Sequence, residues 1–223
     1  MEYNTVLSQT TVFTNRPPSY ARVDFDDETY FCPMLRIKQT GEGIEQRIRL
    51  TNWTPLVLQE LFGTRFEDML RRHSDPYWIL DIGCGYEART LRSICETDSS
   101  LRGVGIDILA QPGKKVKNLL VIQADVNYFA FSKKAKFDLI YSHQFMQHAY
   151  SGGLCEKKLK LYSTISDILK KDGSAFIDDY YSAVQIQAKG MEEELARLLD
   201  VTKMEIRQGI AADRIVPFIF IQK

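Results

Sequence analysis

Apolar and polar positions along this chain repeat with two different periods, and the change from one to the other divides it. Before residue 54 the period is two: Leu35-Arg36-Ile37-Lys38 and Ile44-Glu45-Gln46-Arg47-Ile48-Arg49-Leu50 place apolar side chains on one face and charges on the other. With Gly41-Glu42-Gly43 between them, they predict a hairpin with one solvated face. Tyr20 to Phe25 is a further expected strand, and the first 19 residues, ending in Arg16-Pro17-Pro18-Ser19, read as an extended lead-in. At Thr54-Pro55, a cap residue followed by a first-turn proline, the period becomes helical. Leu58, Leu61, Phe62, Phe66, Met69 and Leu70 then share one face and are expected in the core. Tyr20 and Trp53 are the aromatic residues of this part best placed to line a pocket.

From residue 78 onward, short apolar runs alternate with helical segments. Trp78–Ile82, Gly103–Asp107, Leu119–Val126, Phe137–Ser142 and Ser174–Ile177 read as strands. Ala88–Ile94, Glu156–Lys171 and Met191–Leu199 read as helices, the second with Leu161, Tyr162, Ile165, Ile168 and Leu169 on one face and a stop at Gly173. Two last strands, Met204–Ile206 and Ile215–Ile221, flank a turn at Gly209 to Asp213. The chain thus divides into a strand-rich N-terminal extension, 1–54, suited to a lid or a dimer surface, and an α/β domain, 55–223.

Chemistry enters at the turn after the first of these strands, Asp81-Ile82-Gly83-Cys84-Gly85. Glycines are required where a chain reverses sharply and its backbone approaches a ligand closely, since a Cβ would block both. A carboxylate two residues before the first glycine opposes a phosphate at the helix N-terminus and suits a cationic ligand. Gly83-Cys84-Gly85-Tyr86-Glu87-Ala88 also fits the glycine fingerprint of dinucleotide-binding domains, with Asp107 at the distance of a ribose-binding acid. The glycines alone do not decide between the two readings.

Composition narrows the partners. The 223 residues are 44% hydrophobic, and 29 basic side chains balance 29 acidic ones. That balance gives no overall basic field to attract nucleic acid or an anionic membrane. No apolar run approaches the roughly 20 residues that span a bilayer, so the expectation is a cytoplasmic protein with no membrane partner. Cys32, Cys84, Cys95 and Cys155 are widely spaced, with no Cys-x-x-Cys pair and no histidine at zinc-ligand spacing, so no metal is expected. Lys114, Lys115 and Lys117 read as a solvated loop rather than a binding patch.

The Asp-Ile-Gly-Cys-Gly motif resembles the first motif of the class I S-adenosylmethionine-dependent methyltransferases, departing at Glu87, where a third glycine is usual. The terminal antiparallel pair is similar to the hairpin that closes their sheet, whereas a dinucleotide-binding domain would continue with strand-helix units. The resemblance covers about residues 55–223. It implies a doubly wound, mostly parallel, seven-stranded sheet and S-adenosyl-L-methionine as cofactor. It further implies cofactor contacts at Asp81, Gly83, Cys84 and Gly85 of the turn, ribose contacts at Asp107 with Ile108 beside it, and adenine contacts at Asp125 and Val126. Ser142 to His148 then fall beside the transferred methyl, without the Asn/Asp-Pro-Pro-aromatic signature of enzymes acting on adenine or glutamine amino groups.

An oxygen or protonated-amine acceptor must lose a proton during transfer, and a side chain titrating near neutrality assists most effectively. The resemblance implies His148 as the catalytic base, with His143 the second candidate; His73 precedes the first strand of the domain. The expected reaction is methyl transfer to a small or medium-sized O or N acceptor. A nicotinamide-dependent oxidoreductase and a non-catalytic S-adenosylmethionine-binding protein are the alternatives, the former weakened by the lack of a Tyr-x-x-x-Lys pair after Ser142.

Overall fold

The computed structural model describes residues 21–25, 28–32, 76–85, 88–108, 110, 117–127, 131, 135–143, 145–150, 152–211 and 214–223. The predicted hairpin at 35–50, the helix from Thr54, Tyr20, Trp53 and Glu87 lie outside them. Near the N-terminus, β1 (Ala21–Phe25) and β2 (Glu28–Cys32) pair antiparallel, with Ala21 opposite Cys32. The extension is therefore strand-bearing at 21–25 and 28–32.

In chain order the α/β part comprises β3 (Tyr77–Ile82), α1 (Arg89–Thr97), β4 (Leu101–Asp107), β5 (Leu119–Gln123), β6 (Phe137–Ser142), α2 (Phe145–Ala149) and α3 (Glu156–Ile168). There follow β7 (Leu169–Ile177), α4 (Tyr180–Lys189), α5 (Glu192–Leu198), β8 (Lys203–Ala211) and β9 (Arg214–Gln222). One seven-stranded sheet forms, as the resemblance implied, and its strands run in the order β5-β4-β3-β6-β7-β9-β8. Strands β3 to β7 are mutually parallel; β9 is antiparallel to both β7 and β8.

Alternate residues of each central strand enter one of two apolar layers, which is why these strands read as continuous apolar runs. Leu80, Ile82, Ile106, Ile140 and Ile177 pack with Tyr162 and Ile165 of α3 and Ile186 of α4. Ile79, Leu139 and Tyr141 pack on the other side with Leu91, Ile94 and Cys95 of α1, in a layer continued by Phe176, Phe218 and Phe220. Full burial of such side chains stabilises by about 1.5–3 kcal/mol each, so the two layers are the main source of sheet stability.

Two boundaries differ from the sequence reading. The predicted helix to Lys171 ends at Ile168, because Leu169 leaves helical geometry (φ −69°, ψ 140°) and pairs with Phe137 at a register irregularity. Lys170, read as helical, instead reaches Asp138 of β6 at 2.6 Å. In addition, Asp178-Asp179-Tyr180-Tyr181 does not merely end a strand. Asp179 caps α4, accepting from Ser182 N–H at 3.3 Å, and Gly190 closes that helix at φ +61°. Strands β8 and β9 are longer than expected, with Gly209 opposite Val216 inside the ladder.

Candidate functional site

The carboxyl ends of β3 to β7 gather on one edge of the sheet, where open α/β sheets bind ligands. The glycine turn is fastened there by its backbone. Gly83 N–H and Cys84 N–H both donate to Ile106 O, at 2.8 and 3.2 Å, and Gly85 N–H donates to Asp107 Oδ2 at 3.0 Å. Gly83 (φ +83°) and Gly85 (φ +72°) occupy backbone conformations that a side chain strains. A Cβ on Gly83 would also come within 2.8 Å of Phe145 Cγ, since the first residue of α2 lies against the turn. Cys84 is buried, and burial pushes its thiol well above the ordinary range, which suits packing and not nucleophilic attack.

The acids expected in the site differ in setting. Asp81 lies opposite Tyr141 in the β3–β6 pairing and is 3% exposed, with the Tyr141 hydroxyl donating to its Oδ2 at 2.9 Å. Burial pushes its carboxyl up to about 8, the Tyr141 bond pulls it back and the Asp107 charge adds to the rise. Asp107, half-buried, ends β4 and holds the turn as described; Ile108 follows it, its carbonyl accepting from Gln123 Nε2 at 3.1 Å. Asp125 is buried after β5, its Oδ1 accepting from both Asn127 N–H (2.9 Å) and Asn127 Nδ2 (2.8 Å). The Tyr150 hydroxyl donates to Asn127 Oδ1, joining this corner to the end of α2. Val126, next to Asp125, is buried.

At the end of β6, the Ser142 hydroxyl is buried with no hydrogen-bond partner among the described residues. Ser142 O accepts from Asp178 N–H at 2.9 Å, locking the ends of β6 and β7 together. The next residue, His143, has its Nδ1 2.9 Å from Asp178 Oδ2. Burial lowers the imidazole below its ordinary value, and Asp178 opposes that shift through hydrogen bonding and charge. His148 lies on α2, with its side chain outside the described residues. The edge therefore brings Asp81, Gly83, Cys84, Gly85, Asp107, Ile108, Asp125, Val126, Ser142 and His143 together.

Sequence reasoning gave no role to a buried cluster next to this edge. Lys158 of α3, fully buried, donates to Asp179 Oδ1 (2.9 Å), Gly152 O (2.7 Å) and Ser182 Oγ (3.2 Å), and the Tyr162 hydroxyl donates to Asp179 Oδ2 at 2.6 Å. A lysine four residues before Tyr162, on the apolar face of its helix, was the available signal. Among the described residues no group of three or more His, Cys, Asp or Glu could hold a metal ion, and no helix is long and apolar enough to cross a membrane.

Residues 80–177, from the second half of β3 to the end of β7, match the family model described as a methyltransferase domain. This segment matches a methyltransferase domain and lies within the mixed seven-stranded sheet described above. The match supports an enzyme of the methyltransferase class, with S-adenosylmethionine as its cofactor, over the nicotinamide reading. The fold is shared with solved methyltransferases. The plantazolicin methyltransferase BpumL in complex with SAH superposes at a TM-score of 0.57 with 15% identity, covering 83% of this chain and 91% of that one. The same protein bound to a triazolic desmethylPZN analog and SAH gives 0.56 and 16%, covering 83% and 92%. The apo S-adenosylmethionine-dependent methyltransferase SibL gives 0.50 and 14%, covering 84% of this chain and 59% of that one. No curated protein matches the chain.

Proposed function

We propose that this methyltransferase acts on a small or medium-sized acceptor through an oxygen or nitrogen nucleophile, with its cofactor held along the carboxyl edge from β5 to β6. The observation that carries the reading is the Gly85 N–H to Asp107 Oδ2 bond, which joins the glycine turn to the acid ending the neighbouring strand. Two features of the edge fit a ligand carrying positive charge and hydroxyl groups. The buried carboxyl of Asp81, raised to about 8, becomes a stable carboxylate once a cation neutralises it. Ser142 Oγ, lacking a partner among the described residues, gains one from a ligand polar group.

S-adenosylmethionine, when bound, supplies an electrophilic methyl group on sulfur. In this reading Asp81 balances the charge of its methionine portion, the Gly83-Cys84-Gly85 backbone allows its close approach, and Asp107 with Ile108 receives the ribose hydroxyls. Asp125 and Val126 receive the adenine, Asp125 with one carboxylate oxygen already fixed by Asn127. The chain's remaining work is to align the acceptor, exclude water and take a proton, for which His143 and His148 are the candidates. The acceptor is proposed to be a small molecule, because balanced charge provides no general attraction for nucleic acid.

Methyl-labelled S-adenosylmethionine incubated with the full chain and a panel of phenols, alcohols and amines tests the assignment. Labelled product on an O or N acceptor is expected. Transfer only to nucleic acid or to carbon would overturn it.

A further inference from the structure

We infer that Tyr180 and Tyr181 form a recognition platform for an aromatic ring of the acceptor, at the rim of the edge where the methyl is transferred. The inference rests on the methyl-transfer reading and adds to it a substrate class, acceptors that carry a flat aromatic or heteroaromatic ring. Chain connectivity sets the position. Strand β7 ends at Ile177, Asp178 follows with its Oδ2 2.9 Å from His143 Nδ1, and α4 begins at Tyr180, two residues on. The first turn of α4 therefore stands at the carboxyl edge, next to the His143–Asp178 contact. On that turn the two rings meet edge to face, with centroids 5.5 Å apart and planes at 86°. They are 42% and 54% exposed, and Val184, one turn after Tyr180, is exposed as well. These three, with Leu198 of α5, are the large apolar side chains that stand exposed among the described residues. An edge-to-face pair occupies one face of one ring, so the other faces are open to a third ring.

The turn that carries the pair is held from within. Asp179, its capping residue, is fully buried, and its carboxylate accepts from Lys158 Nζ, the Tyr162 hydroxyl and Ser182 N–H. Gln185, one turn after Tyr181, accepts from Leu154 N–H at 2.8 Å through Oε1, which ties that flank of α4 to the segment after α2. Tyrosine has few rotatable bonds, so rings on a fixed turn lose little freedom when a ligand stacks on them. The first turn of α4 carries no acidic residue, and Lys189 is in its last. An uncharged aromatic surface suits a neutral ring, whereas a nucleic-acid strand calls for basic side chains beside the aromatic ones.

The test uses the full chain, with and without saturating S-adenosylhomocysteine, the demethylated cofactor. Calorimetry measures binding of 2-naphthol and of its fully saturated counterpart, decahydro-2-naphthol. The variants are Tyr180→Ala, Tyr181→Ala, Tyr181→Phe and, as a control on another helix, Leu198→Ala, all at exposed positions where folding is not at stake. The native chain is expected to bind 2-naphthol about tenfold more tightly than the saturated probe, and alanine at 180 or 181 to remove about tenfold of that affinity. Tyr181→Phe and Leu198→Ala should stay within about twofold of the native value, with S-adenosylhomocysteine affinity unchanged throughout. Equal affinity for the two probes, no naphthol binding, or naphthol affinity unchanged in both alanine variants would overturn the platform. So would a native dimer that Tyr181→Ala dissociates with naphthol affinity unchanged, since the pair would then be a contact between copies of the chain. Methyl transfer to aliphatic alcohols or amines alongside any of these results would remove the platform and leave the methyl-transfer reading standing. A folded chain that holds 2-naphthol as expected but binds neither S-adenosylmethionine nor S-adenosylhomocysteine would remove that reading, and with it the role of the pair in acceptor recognition.

Discussion

Asp81, proposed to balance a bound cation, is a buried acid in the free chain. Its carboxyl ordinarily titrates at 3.8 and is raised to about 8 in the fold. Between these values the unfolded chain releases a proton that the folded chain keeps, so the contribution to stability is full below about 4 and is lost as pH rises to about 8. The stability advantage of the native chain over Asp81→Asn, measured by urea unfolding of the free protein, should therefore shrink steadily across that window. Binding of a cation beside Asp81 should release a proton near pH 7, visible as a dependence of binding enthalpy on the ionisation enthalpy of the buffer. Asp107→Ala should weaken S-adenosylmethionine binding by about 1–3 kcal/mol if the carboxylate pairs with buried hydroxyls, and unchanged affinity in a folded variant would remove it from the site. Asp81 and Asp107 were legible in the sequence because each stands at a fixed offset from the glycines or at the end of an apolar run. Asp178 was not legible as a partner of His143, because the pairing depends on which strands are neighbours, 35 positions apart in the chain.

Among the elements, the α3–α4 junction is held by a buried lysine–aspartate pair. Lys158 has three acceptors and Asp179 is bonded through both carboxylate oxygens, so the buried charges are mutually satisfied. Lys158→Met should leave Asp179 buried without its cation and destabilise the fold by about 3–5 kcal/mol in urea unfolding. Lys158→Met with Asp179→Asn should recover part of that loss; a single variant as stable as the native chain would show the cluster to be dispensable. Strands were the more legible elements, since β3, β4 and β6 are buried apolar runs whose ends coincide with their chemistry-bearing residues. The helix–strand boundary at Leu169 was hidden because Lys170 and Lys171 extend the helical period while Lys170 is drawn to Asp138. Helix α4 was missed because two acids followed by two tyrosines give no apolar period, although Asp179 is a good capping residue.

For the whole molecule, the order of strands explains why an antiparallel ending was the most useful long-range signal. Insertion of β9 between β7 and β8 distinguishes this sheet from a dinucleotide-binding one, whereas the glycine turn alone suits either. The N-terminal part is proposed to govern acceptor access more than folding, so a chain beginning at Leu50 should remain folded and bind cofactor by circular dichroism and calorimetry. An unfolded product would place that part in the core. The central claim is that the glycine turn, Asp81 and Asp107 form a site for a cationic adenosyl ligand. Calorimetry of the full chain with S-adenosylmethionine, its demethylated product and NAD tests it most directly. The expected result is saturable binding of one or both adenosyl compounds, with no heat of binding from NAD. Binding of NAD alone, or of none of the three by a folded chain, would contradict it.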